Sequence, residues 1–181
     1  MPSTDRDALV ALYNATDGAN WLQSTNWNKG ADLSLWHGIK VDDQGRVVKL
    51  RLPSNNLRGS IPKELGALTE LKDLSLNQNQ LTGSIPEELG GLSKLKRLLL
   101  WNNKLTGSIP KELGALTELK DLSLNQNQLT GSIPKKLGGL SKLEKLSLWN
   151  NKLTRFIPKE LGALTELKIL ALSENQLTGK R

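Results

Sequence analysis

Asn55, Asn79, Asn103, Asn127, Asn151 and Asn175 stand 24 residues apart, and around each the chain repeats L-x-x-L-x-L-x-x-N-x-L-t-G-s-I-P-x-x-L-G-x-L. A fixed period of this size marks coils that are each too small to bury an apolar face alone, so that only stacking produces a core. In the coil from Leu71 to Gly91, period-two alternation points Leu74 and Leu76 inward from a short strand and Ser75 and Asn77 to the opposite, solvent-facing side. Asn79 falls where the chain must turn, and its amide can satisfy backbone groups that the turn leaves unpaired, which predicts a buried asparagine ladder. Leu81, Ile85, Leu89 and Leu92 fill the core from the other sides, Gly83 supplies backbone freedom, Pro86 punctuates the chain, and Gly90 is expected to end a short helical or 3₁₀ turn. The fold class is therefore an α/β solenoid whose strands form a parallel sheet.

Composition removes several functions. The 181 residues include no Cys and one His, carry a net charge of +7, and are 24% charged and 37% hydrophobic. Without Cys there is no disulfide, thiolate metal site or thiol nucleophile. With His37 as the sole histidine there is no two-His metal site or His relay. Phosphate-cradling and zinc-protease motifs are lacking too, so neither an enzyme nor a cofactor-binding protein is expected. The basic residues are scattered and not gathered in a tract, which points away from nucleic acid, while the positive balance favours acidic partners. No stretch of 18 apolar residues spans a membrane. The opening MPSTDRDALV has no basic region followed by an apolar one, so a cytoplasmic location is the expectation, with secretion possible after removal of a leader.

Residues 1–43 read as an N-terminal cap and 44–181 as six 24-residue coils, the last incomplete, in one continuous structural domain. Thr4 with Asp7 suggests a capping box, followed by an apolar helical face of Ala8, Leu9, Leu12 and Tyr13. Residues 39–41 and 46–52 flank the turn Asp42-Asp43-Gln44-Gly45 as a hairpin. Trp21, Trp27 and Trp36 could form a carbohydrate platform, but a terminal coil must be sealed, and plugging the solenoid end is the expected role.

The segments L-T-G-S-I-P at 81–86 and E-L-G-G-L at 88–92, with their copies around Asn103, Asn127 and Asn151, resemble the plant-specific class of leucine-rich repeat. That resemblance implies a right-handed superhelix, a sheet on the concave face, a second short strand near each L-t-G-s-I-P, short 3₁₀ turns on the other side, and recognition on the concave sheet. The segment W-H-G-I-K-V at 36–41 is similar to the cap of plant receptor-like repeat proteins, with Leu35 and Val41 where that family has cysteines. This Cys-free cap, with D-D-Q-G-R-V at 42–47, looks like that of algal and protist repeat proteins, including the repeat regions of ROCO-type GTPases.

Stacking turns the sequence into columns. Lys49, Asp73, Arg97, Asp121 and Lys145 alternate in sign along the sheet, as do Glu70, Lys94, Glu118, Lys142 and Glu166 just before it, and such cross-strand pairs have a structural explanation. Other columns do not. Lys72, Lys96, Lys120 and Lys168 repel one another, relieved only by Glu144. Trp101 and Trp149 stand where other coils have Pro53, Asn77, Asn125 and Ser173, two coils or ~9.6 Å apart. Leu99 lies beside Trp101 where the matching residues are Ser75, Ser123 and Ser147. Aromatics with basic neighbours are the composition of an interface anchor, so Lys96, Arg97, Leu99, Trp101, Lys120, Lys145 and Trp149 are the candidate binding residues on the concave face.

The function expected from this pattern is recognition of a protein or peptide, as part of a larger receptor-like or signalling protein. Near-identical coils also suit a consensus or designed scaffold with no ligand. Ice binding is a lesser reading, resting on the Thr82, Thr106, Thr130, Thr154 and Thr178 column with Ser60, Ser84, Ser108 and Ser132 beside it and on the resemblance, because some plant repeat proteins of this class bind ice. Because no polar cap follows the last coil, the native protein is expected to continue beyond Arg181, two chains meeting end to end being the alternative, and weak self-association through Ile169–Leu177 is expected at high concentration.

Overall fold

The structure is a computed structural model and describes residues 4–179. Helix α1 (Thr4–Ala15) is followed by twelve short strands: β1 (Ile39–Val41), β2 (Val47–Arg51), β3 (Arg58–Ser60), β4 (Asp73–Ser75), β5 (Gln80–Thr82), β6 (Arg97–Leu99), β7 (Asp121–Ser123), β8 (Thr130–Gly131), β9 (Lys145–Ser147), β10 (Lys152–Phe156), β11 (Ile169–Ala171) and β12 (Gln176–Thr178). The main sheet has the order β1-β2-β4-β6-β7-β9-β11, and every neighbour pair is parallel except the β1–β2 hairpin. The L-t-G-s-I-P segments form the expected second row of strands, β3-β5 and β12-β10-β8, continued by single bridges between Ser84 and Thr106 and between Ser108 and Thr130. A 3₁₀ turn follows in each coil, as in Lys111–Ala115, opened by a proline whose carbonyl accepts a hydrogen bond from the third residue on (Leu113 N to Pro110 O, 3.2 Å).

Register keeps like residues together: Leu50, Leu74, Leu98, Leu122 and Leu146 are paired strand to strand and fully buried. Each coil thus supplies a layer of leucines that its neighbours cover on both sides, which is the burial one coil cannot achieve alone.

The asparagine ladder is present. Asn127 Oδ1 accepts from Leu105 N in the preceding coil at 3.0 Å, and its Nδ2 donates to Leu100 O at 3.0 Å and Leu124 O at 3.1 Å. Asn79, Asn103, Asn151 and Asn175 repeat the arrangement. Asn55 carries it into the cap, accepting from Gln23 N at 2.7 Å and donating to Gln23 O at 2.8 Å.

One element of the turn carries no sequence signal. The residue before each ladder asparagine, namely Ser54, Gln78, Asn102, Gln126, Asn150 and Glu174, has φ between 50° and 59°, the left-handed region that disfavours most side chains. Gly90 also has a different reason from the one its position suggests. It lies inside the 3₁₀ turn Glu87–Gly91, and a Cβ there would sit 2.5 Å from the Glu112 carbonyl oxygen, so it is the close stacking of successive turns that requires glycine.

The cap is sealed by aromatics. Trp21, Trp27 and Trp36 are 6%, 1% and 2% exposed, which removes the carbohydrate platform. Trp27 packs 4.8 Å from Trp21 and 4.9 Å from Trp36, ring centre to ring centre. Their indole N–H groups donate to the Thr16, His37 and Ala31 carbonyls, so burial leaves no indole unsatisfied. Helix α1 is described from Thr4, the residues before it lying outside the described ones, and its first turn is anchored by the buried Asp5, which accepts from Arg46 Nε at 2.9 Å and Val47 N at 2.9 Å. That ion pair raises the Arg46 guanidinium above its ordinary pKa. At the far end Ile169 and Leu170 are half-exposed, and Lys180-Arg181 lie outside the described residues.

Replacing Asn127 by alanine strands the buried Leu105 N–H, at about 1–3 kcal/mol, and removes one of the two asparagine donors from each of Leu100 O and Leu124 O, which keep Asn103 and Asn151, at about 1 kcal/mol or less each. Asn127→Ala is therefore expected to lower unfolding free energy by about 3 kcal/mol in urea titration; an unchanged midpoint counts against the ladder.

Candidate functional site: the sheet face and a lateral groove

Strand alternation places Arg97, Leu99 and Trp101 in one row, Asp121, Ser123 and Asn125 in the next, and Lys145, Ser147 and Trp149 in the third. Backbone bonds extend the register past the strands, with Gln78 N donating to Trp101 O and Gln126 N to Trp149 O, both at 2.9 Å. Lys96 and Lys120 lie just before β6 and β7, with Lys120 N donating to Lys96 O at 2.8 Å, and both side chains are exposed.

This face is less open than alternation alone suggests. Ser75, Ser123 and Ser147 are buried, Asn77 and Asn125 on either side of Trp101 are each 7% exposed, and Leu99 is 9% exposed. Trp101, Trp149 and Lys145 are half-buried, and Arg97 is exposed. The physical reason is lateral: coils stack so closely that short side chains are walled in by larger ones on adjacent strands. Leu99 is thus a packed support and not an exposed contact, a correction to its expected place on an open surface.

The charge ladder also needs correcting. Among the described residues, the ion pairs on this face are Arg51 and Arg97 to Asp73, with Asp73 Oδ2 2.8 Å from Arg51 Nε and 3.6 Å from Arg97 Nη1. Asp73 is 3% exposed and also accepts from Ser75 Oγ at 2.7 Å. Lys49 sits opposite Asp73 in register, but the longer guanidinium of Arg51 reaches the carboxylate from the next position on the same face. Further along, Asp121 accepts from Ser123 Oγ at 2.6 Å and Asn125 Oδ1 accepts from Ser147 Oγ at 3.0 Å.

In the row before the strands, lysines join coils in twos: Lys94 to Glu70, Lys142 to Glu118 (2.7 Å), and Lys168 to Glu144 (2.8 Å). The last pair relieves the lysine column. Hydrogen bonds from Lys142 and Lys168 hold the Glu118 and Glu144 carboxyls below their ordinary pKa, and the Glu144 bond raises Lys168.

A second concave feature lies away from the sheet and was not anticipated from the sequence. It is an open groove of about 1310 Å³ running across the coils, floored by Ile85, Ile109 and Ile133 with Pro86, Pro110 and Pro134. A signal for it was present in the internal repeat. Residues 63–86 and 111–134 are identical, whereas 87–110 and 135–158 differ at Glu87/Lys135, Glu88/Lys136, Lys96/Glu144, Arg97/Lys145, Leu99/Ser147, Gly107/Arg155 and Ser108/Phe156. Three of these differences fall on the sheet face or its entry. The other four fall at the groove or its rim.

A family model described as a leucine-rich repeat region matches residues 43–180. The chain belongs to the leucine-rich repeat family. This leucine-rich repeat chain is 44% identical over 74 residues (41% of it, 6% of the relative) to the leucine-rich repeat receptor protein kinase EMS1 of Arabidopsis thaliana, and 40% identical over 76 residues (40% and 7%) to phytosulfokine receptor 2 of the same plant. It therefore spans only a small fraction of these relatives. Among solved structures it is similar to the Arabidopsis receptor kinase HAESA in complex with the peptide hormone IDA and the co-receptor SERK1 (TM-score 0.87, 34% identity, 98% of this chain and 30% of that one). It is also similar to a plant ice-binding protein (TM-score 0.87, 34%, 96% and 56%) and to the ectodomain of the Arabidopsis receptor kinase SOBIR1 (TM-score 0.80, 29%, 99% and 97%). No helix among the described residues is long and apolar enough to cross a membrane.

The paired carboxylates set a pH dependence. A depressed carboxyl stabilises the fold above its ordinary value of 4.5 and loses that contribution as pH falls through the depressed value, while raised Lys168 contributes below 10.5 and is lost above. Glu144→Gln is expected to lower the thermal midpoint slightly at pH 7, more at low salt, with the difference from wild type vanishing once the pH falls below the depressed value of the Glu144 carboxyl.

Proposed function

We propose that this chain is a protein- or peptide-recognition module that binds its partner on the concave sheet face, as part of a larger receptor-like or signalling protein. The observation that carries this reading is where the two 48-residue units differ. Around the unchanged Trp101 and Trp149, the substitutions at 96/144, 97/145 and 99/147 alter charge and bulk while leaving every core leucine in place. Core packing gives no reason to vary 96/144 and 97/145, whereas a surface that addresses an asymmetric partner does, and the buried 99/147 position varies with them. Half-buried indoles cost little further ordering when a partner covers them, so Trp101 and Trp149 serve as anchors. Arg97, Lys96, Lys120 and Lys145 steer acidic groups toward them. The solved complexes of similar proteins with peptide hormones and co-receptors support a partner of the same class. The chain covers only 6% and 7% of EMS1 and phytosulfokine receptor 2, but 97% of the SOBIR1 ectodomain.

Peptides selected from a random display library are expected to be enriched in acidic residues. The Trp101→Ala/Trp149→Ala double variant, folded by its thermal melt, should bind them at least tenfold more weakly. Undiminished binding by that variant refutes the anchor role, and failure to enrich any peptide favours a scaffold without a ligand.

The likeness to an ice-binding protein favours a second reading on the other strand row, where Thr82, Thr106 and Thr130 are exposed beside Ser84, Ser108 and Ser132. Gly107 and Ser108 become Arg155 and Phe156 one unit later, which breaks the hydroxyl array where an ice lattice needs regularity. Recrystallisation inhibition lost on Thr106→Lys but kept by the Trp double variant is the outcome that replaces peptide recognition with this reading.

A further inference from the structure

The lateral groove carries a charge arrangement that the fold does not use. Glu87 and Glu88 flank one end, Lys111 and Glu112 the middle, and Lys135, Lys136 and Arg155 the other end. Among the described residues none of these side chains takes part in an ion pair, although the columns on the sheet side are bridged coil to coil. At matching positions of adjacent coils the columns read Glu87-Lys111-Lys135 and Glu88-Glu112-Lys136, so like signs meet at Glu88/Glu112 and Lys111/Lys135 and opposite signs at Glu87/Lys111 and Glu112/Lys136, none of them joined in an ion pair among the described residues. Arg155 adds a second unfavourable choice. It has φ 69°, where Gly83, Gly107 and Gly131 hold the same turn at 71°, 74° and 77°. Exposed charge that no ion pair uses, reversed in sign from one end to the other, and a strained non-glycine turn, gathered along one groove, mark a surface shaped for a ligand.

We infer that this groove is a second binding site, distinct from the sheet face, for a short extended peptide segment that is basic at one end and acidic at the other. The acidic end of the groove receives the basic residues and the basic end the acidic ones. The isoleucine and proline floor takes the apolar residues between them. The two charged coils are two steps apart, ~9.6 Å, which about three residues of extended chain span at ~3.3 Å each. A uniformly acidic or basic ligand would meet its own sign at one end, so the groove selects for charge order and not for net charge.

The probe is a six-residue synthetic peptide, capped at both termini, with two Lys, then Val-Pro, then two Glu, titrated calorimetrically at low salt. It is expected to bind at least tenfold more tightly than a peptide of the same composition with Lys and Glu alternating. Glu87→Lys/Glu88→Lys should abolish that preference and favour an all-Glu peptide, and Lys135→Glu/Lys136→Glu should favour an all-Lys one. All these positions are exposed, so the variants keep the wild-type thermal melt. Trp101→Ala/Trp149→Ala leaves groove binding unchanged, which separates this site from the sheet-face proposal. Equal affinity for the ordered and alternating peptides, or no effect of either swap, overturns the inference. So does a dimer seen by sedimentation that either swap disrupts, because the groove then belongs to a second copy of the chain.

Discussion

A coil of 24 residues turns through several corners, and every corner leaves backbone N–H and C=O groups that no regular ladder can pair. In this molecule one asparagine per coil takes up those groups, accepting from a backbone N–H of the coil before and donating to carbonyls of both coils, as Asn127 does with Leu105, Leu100 and Leu124. The interior is otherwise leucine, where an unpaired amide costs more than it would in water. Close stacking, the leucine layers and the parallel sheet all rest on the corners being satisfied at a separation that repeats without drift. The same demand explains the glycine in four of the 3₁₀ turns, since the carbonyl of the next coil approaches to within 2.4–2.6 Å of where a Cβ would stand at Gly66, Gly90, Gly114 and Gly138.

A frame this repetitive leaves its outward positions free, and the departures from repetition become informative. Two 48-residue units differ only on two surfaces, the sheet face and the lateral groove. On the sheet face the changes surround paired indoles; in the groove they replace two glutamates with two lysines and glycine with a strained arginine. The inward leucine layers are untouched between units, while the buried Leu99/Ser147 position and the strained Arg155 vary. Solenoids can acquire binding surfaces one coil at a time because each coil answers structurally only to its neighbours.

Much of this was readable from residues alone. The period, the leucine alternation at Leu74 and Leu76, the asparagine ladder, the hairpin at Ile39–Val41 and Val47–Arg51 and the sealing role of Trp21, Trp27 and Trp36 each follow from a local rule applied once and repeated. Those rules concern one coil, or the identity of residues in one column, and a period makes them visible. The family likeness rests on the same repeated residues.

What only the tertiary structure decided lies between coils and beyond their nearest register. That Ser75 and Asn77 are buried, that Leu99 is packed, and that Asp73 is held by Arg51 in place of Lys49 depend on side-chain reach across a sheet whose strands are ~4.8 Å apart. The left-handed residue before each asparagine escaped notice because Gln78, Gln126 and Glu174 are not turn formers; closure of the coil imposes that conformation against local preference. The Asp5–Arg46 link joins residues 41 apart, and no periodicity reports a contact made once. The groove exists only when three coils are laid side by side. The order of residues determined the coil and the core, and the stacking distance determined which outward residues meet water.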